Sequence, residues 1–68
     1  PMEYLMEYRI QAAVRLLETT NLSVTEIAMR TGWGSSSYFA KMFHSIRGKT
    51  PNAHRKEYIA LQKQILKE

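Results

Sequence analysis

The alternation of apolar and polar positions divides the chain into four helical stretches with short breaks between them. Met6, Ile10, Ala13 and Leu17 recur at i, i+4, i+7 and i+11, and Leu5, Ala12 and Leu16 widen the stripe, which predicts an opening helix of about eighteen residues. Met2, Tyr4 and Tyr8 fall at or beyond the margins of that stripe, and Thr19 to Asn21 ends it. Val24, Ile27 and Ala28 form a second, shorter stripe, with Ala28 small enough for a crossing helix to approach closely. Phe39, Met42, Phe43 and Ile46 form a third and predict a helix from Ser36 to Arg47. In the last stretch Tyr58, Leu61, Ile65 and Leu66 lie along one side. They predict an amphipathic tail that prolongs a helix led by Pro51, with a packing or pairing surface as the alternative reading.

The residues at the breaks supply starts and stops. Ser23 is placed to cap the second helix, Glu26 to reach back as its capping-box partner, and Leu22 with Ile27 to close over the end as a hydrophobic staple. Gly32 suits a helix-ending position with positive φ, and Trp33 follows as a bulky plug under the turn. Ser35 starts the third helix and Gly48 ends it; Thr50 then offers a cap and Pro51 the first helical residue. Leu22 to Gly48 is thus the outline of a helix-turn-helix. Pro1 is also suited to a first helical position, and Pro1 to Leu5 opens in the manner of Pro51 to Arg55. The expectation is an excised piece, with another such unit ending just before residue one.

Sixty-eight residues without cysteine allow no disulfide framework and no thiolate metal cluster. Packing must hold a small all-α domain near the lower size limit of a self-sufficient core. Neither a signal peptide nor a long apolar run is visible, so the expected setting is soluble and cytoplasmic, away from membranes. The net charge is +4, and its distribution is more telling than its size. Residues 1–26 carry Glu3, Glu7, Glu18 and Glu26 against Arg9 and Arg15, and residues 57–68 balance to zero. Between them Arg30, Lys41, Arg47, Lys49, Arg55 and Lys56 meet no acid, so this block is +6 and a polyanion is the natural partner.

At about 100° per residue, the face of the third helix opposite its apolar stripe holds Ser37, Lys41 and His44, flanked by Ala40 and Ser45. Short side chains followed by a cation suit a helix laid in the major groove of double-stranded DNA. Lys41 is the expected base contact. Arg9 and Arg55 are open between phosphate contacts and ion pairs with Glu26 or another acid. Ser35, Ser36 and Ser37 lack a glycine elbow and an assignable base, so their common role is capping rather than nucleophilic attack. His44 and His54 are not at metal-ligand spacing. Trp33 and Tyr38 are placed for packing beside the turn rather than for stacking on unpaired bases. No catalytic constellation, cofactor motif or metal set is visible, and the chain reads as no enzyme. The alternative function is a protein-interaction or dimerisation module in which the basic helix and the tail bind an acidic partner or another copy; pairing through Leu61 and Ile65 would survive salt.

Taken in order, Tyr4-Leu5, Arg9-Ile10, Ala13, Leu16-Leu17, Ile27-Ala28, Gly32-Trp33, Ser37-Tyr38-Phe39, Phe43, Gly48, Thr50-Pro51 and Arg55 resemble the second helix-turn-helix of the DNA-binding domain in AraC/XylS regulators. The resemblance covers Pro1 to about Lys56, which defines a unit 1–56 and a tail 57–68. It implies a long linker helix, a helix-turn-helix and a C-terminal helix around a homeodomain-like three-helix core. It also implies bacterial transcriptional control, usually activation through RNA polymerase, with the sensing domain and a first reading head outside this chain. Carried over by position, base contacts fall among Ser36, Ser37, Ala40 and Lys41, and the candidate DNA-binding set is Ser35, Ser36, Ser37, Tyr38, Ala40, Lys41 and His44. Two positions depart from the family pattern. His44 stands where a lysine is frequent, and His54 stands where a packing aromatic is usual, which implies a looser final helix.

Overall fold

The computed structural model describes residues 2–67, so the expected role of Pro1 lies outside the described residues. Among these residues there are four helices: α1 (Met2–Thr19), α2 (Val24–Arg30), α3 (Ser36–Arg47) and α4 (Pro51–Lys67). α1 is the long helix on which the others assemble. It buries Ile10, Ala13 and Leu17 against Ile27 and Ala28 of α2 and Phe39 and Phe43 of α3, with Trp33 filling the space below the turn. The aromatic rings form a row. Trp33 and Phe39 have centroids 5.6 Å apart, Phe39 and Phe43 5.7 Å, both in the tilted or edge-on arrangements that the ring quadrupoles favour.

The helix boundaries follow from local chemistry. Ser23 Oγ accepts from the Glu26 N–H at 3.1 Å and so satisfies one orphan donor of α2. The reciprocal half of the expected capping box is not made: the Glu26 carboxylate accepts from Arg30 Nε one turn on, at 3.1 Å. α2 ends in a Schellman arrangement. The Trp33 N–H donates to Ala28 O at 3.1 Å and the Gly32 N–H to Met29 O at 3.4 Å, with Gly32 at φ 84°. A second constraint also selects glycine there, because a Cβ on residue 32 would lie 3.2 Å from Arg9 Nε. α3 ends at Gly48 (φ 77°), whose N–H donates to His44 O at 2.8 Å. Thr50 Oγ1 accepts from the Ala53 N–H at 3.0 Å and caps α4 ahead of a buried Pro51.

Three expectations from periodicity and resemblance are corrected. Ile46 is 37% exposed rather than part of the inner stripe, and Leu5 is likewise exposed. Ile46 lies about 60° from Phe43 round the helix, at the edge of the sector that α1 and α4 cover. His54 does not loosen the final helix. Its ring meets Phe43 edge-on at 6.0 Å, and its Nε2 lies 2.8 Å from Glu18 Oε2, so it clasps α4 to α1 while its Nδ1 is buried without a partner among the described residues. Arg55 pairs with neither phosphate nor carboxylate. Its Nε donates to Leu17 O at 3.1 Å and its second guanidinium nitrogen to Thr20 O at 3.2 Å. α1 has no basic residue in its own last turn, so Arg55 supplies the cation and donors that this helix end lacks. Beyond Tyr58, α4 continues without a break through the 56/57 boundary, with Ile59, Leu61, Ile65 and Leu66 exposed.

Candidate nucleic-acid interface

α3 begins where Ser35 adopts an extended backbone and its Oγ accepts from the Tyr38 N–H at 3.1 Å. That hydroxyl is engaged in capping, so Ser35 acts on the surface chiefly by deciding where the helix starts and hence which residues point outward. Ser37, Lys41 and His44 are all exposed on the side away from Phe39 and Phe43, while Ser36 and Ala40 are half-buried on the flank. Tyr38 is 43% exposed, its ring 5.8 Å from that of Trp33 at a 55° tilt. The seven candidate residues therefore form one continuous strip along the first two and a half turns of α3, with two of them set back towards the core. Trp33, at 7% exposure, is a packing residue.

The electrostatics of this strip are narrower than the linear charge count implies. Of the six bases between residues 27 and 56, Arg30 is held by Glu26, Arg47 by Glu7 at 3.1 Å, Lys49 by Glu57, and Arg55 by backbone carbonyls. Lys41 and Lys56 are left without ion pairs among the described residues, and of the two only Lys41 is on α3. Acids that stand outside the basic block in sequence are folded back onto it, which no windowed count reveals. Arg9 was open between phosphate and Glu26; it lies over Gly32 instead, while Glu26 serves Arg30.

Other surface features lie apart from this strip. A shallow groove of about 430 Å³ runs between α1 and the end of α2, lined by Tyr8, Ala12, Arg15, Leu16, Arg30 and Thr31. Among the described residues no three His, Asp or Glu side chains converge as metal ligands would. No described helix is long and apolar enough to cross a membrane.

Comparison with known proteins places this geometry. Residues 1–57 match a family model described as a helix-turn-helix domain. YdeC of Bacillus subtilis (strain 168), an uncharacterized HTH-type transcriptional regulator, is 38% identical over 56 residues, which cover 82% of this chain and 19% of that protein. A putative AraC-like transcription regulator of Streptomyces lividans is also 38% identical over 56 residues, covering 82% of this chain and 18% of its own. Among solved structures, the DNA-binding domain of AdpA, a global transcriptional factor crystallised in complex with a target DNA, superposes with a TM-score of 0.89 at 38% identity. That match covers 94% of this chain and 58% of the AdpA domain. The chain spans about a fifth of the length of the two curated relatives.

Proposed function

The chain belongs to the AraC-type helix-turn-helix family of transcription regulators, and from that membership we propose that it binds double-stranded DNA sequence-specifically by laying α3 in the major groove. The observation that carries this reading is the outer strip of α3: exposed Ser37, Lys41 and His44, no acid among them, and a lysine free of any ion pair among the described residues. In the docking geometry of a helix-turn-helix, the first residues of the second helix reach base edges. Ser36, Ser37 and Ala40 are short enough to allow close approach, Lys41 donates to a base acceptor, and His44, one turn further on, faces the backbone. Ser35 and Tyr38 hold the start of the helix at the mouth of the groove. One such head neutralises few phosphates, so the isolated chain binds weakly and low salt is the regime in which its binding is read. The wider reading assigns the longer protein to the bacterial cytoplasm, as a regulator that contacts RNA polymerase and activates transcription.

The test begins with selection of duplexes from a random pool, followed by anisotropy titrations of the selected duplex and a scrambled one. Lys41→Ala is expected to narrow the gap between the two by about 1–3 kcal/mol, the usual size of one base contact. Equal weakening on both duplexes would make Lys41 a phosphate contact and remove it from the reading set. Failure of the pool to enrich any sequence would sink the proposal as a whole.

A further inference from the structure

Three cations of the basic block are held by carboxylates, and one of these pairs differs from the other two. Arg30 and Glu26 are one turn apart on α2, and Lys49 and Glu57 join the α3–α4 connection to the start of α4. Arg47 and Glu7 are separated by forty positions and tie the last turn of α3 to the first half of α1. Arg47 follows His44 by three residues, about 60° round the helix, so it springs from the margin of the outer strip. Its side chain is nevertheless drawn back onto α1. Glu7 Oε1 accepts from the Arg47 guanidinium at 3.1 Å and lies 3.5 Å from Gln11 Nε2. Both partners remain open to water, with 33% of the Arg47 side chain and 48% of the Glu7 side chain exposed.

An exposed pair of this kind is held weakly and is screened by salt. A guanidinium, by contrast, forms paired, charge-assisted hydrogen bonds to a phosphodiester. Phosphates border the major groove on both sides, so a cation at the margin of a groove-inserted helix is within reach of that ligand. We propose that Arg47 is a DNA-phosphate ligand that the free protein keeps occupied with Glu7, so that binding exchanges a carboxylate for a phosphodiester on the same guanidinium. The assignment rests on the reading of α3 as the groove-inserted helix. Its consequence is an affinity brake: each duplex must displace Glu7 first, so the acid weakens all sequences alike and leaves discrimination to Ser37 and Lys41.

The experiment is a double-mutant cycle on the 68-residue chain, read by anisotropy with a labelled duplex and its scramble at about 50 and about 200 mM salt. Glu7→Gln is expected to tighten both duplexes together. It is also expected to enlarge the ratio of Kd between the two salt concentrations about threefold, the signature of one more phosphate contact. With Arg47→Gln already in place, Glu7→Gln should change neither quantity. A gain that persists without Arg47 is long-range removal of negative charge, and it overturns the assignment. Glu7→Gln binding no tighter than the parent overturns it too, and a lower thermal melt in that case would show the pair to be only a staple between α1 and α3. If the parent chain binds no duplex at low salt, the reading of α3 fails and this assignment fails with it, whereas a parent that binds without a Glu7 effect removes the brake alone.

Discussion

The two sides of α3 share one cap, one helical period and one stretch of twelve residues, yet they do opposite things. On the inner side Phe39 and Phe43 are wholly excluded from water and continue an aromatic row that begins at Trp33. On the outer side Ser37, Lys41 and His44 are exposed and touch no partner through an ion pair among the described residues. The inner side concentrates apolar area in a domain with little of it to spare, so its residues carry the stability. The outer side contributes almost nothing to folding and is free to meet a ligand. What separates the two is about half a turn of helix, so anything that shifts the start of α3 rotates both at once.

The sharpest break of that contrast is Phe43→Ala. Removing a fully buried ring is expected to cost about 3–5 kcal/mol, comparable to the whole stability available to a domain of this size, and the chain should lose its cooperative thermal melt. A melt unchanged from the parent would show that the inner side is not the core. A smaller effect that touches both sides is expected from Ser35→Ala, which removes the acceptor for the Tyr38 N–H and should cost about 1 kcal/mol in urea titrations. Because the cap also sets where the outer strip begins, this substitution should loosen binding to the selected duplex as well; loss of stability with fully retained binding would uncouple the two. The smallest and most selective change is His44→Lys. A permanent cation on the outer side should leave the melt where it is and steepen the logarithmic salt dependence of binding by about 0.9, alike on selected and scrambled duplexes. Improvement on one duplex alone would make His44 a reader of bases.

Much of the fold was legible because its causes are local. Ser23, Ser35 and Thr50 each accept from an N–H three residues ahead, and Gly32 and Gly48 end helices with left-handed backbones, so starts and stops are written within four or five residues. Helical periodicity likewise identified Leu17, Ile27, Phe39 and Phe43 as core. It overreached at Ile46, because a stripe read from spacing has no sharp edge until a neighbouring helix defines one. The outer strip of α3 was legible for the same reason as the inner one, since fixing one side of a helix fixes the other.

The charges were not legible in this way. A run of six bases without an acid suggested a broad cationic surface, but the fold brings Glu7 to Arg47 and Glu57 to Lys49, and turns Arg55 inward onto the carbonyls of Leu17 and Thr20. It also pairs His54 with Glu18 across thirty-six positions, converting an apparent weakness of the last helix into a clasp. Helix identity, helix ends and the two-sidedness of α3 depend on interactions within one or two turns, and the sequence determined them by itself. Which cations remain available to a partner depends on contacts between residues 35 to 40 positions apart. Long flexible side chains choose their partners only after packing has brought the helices together, so that choice belonged to the tertiary structure alone.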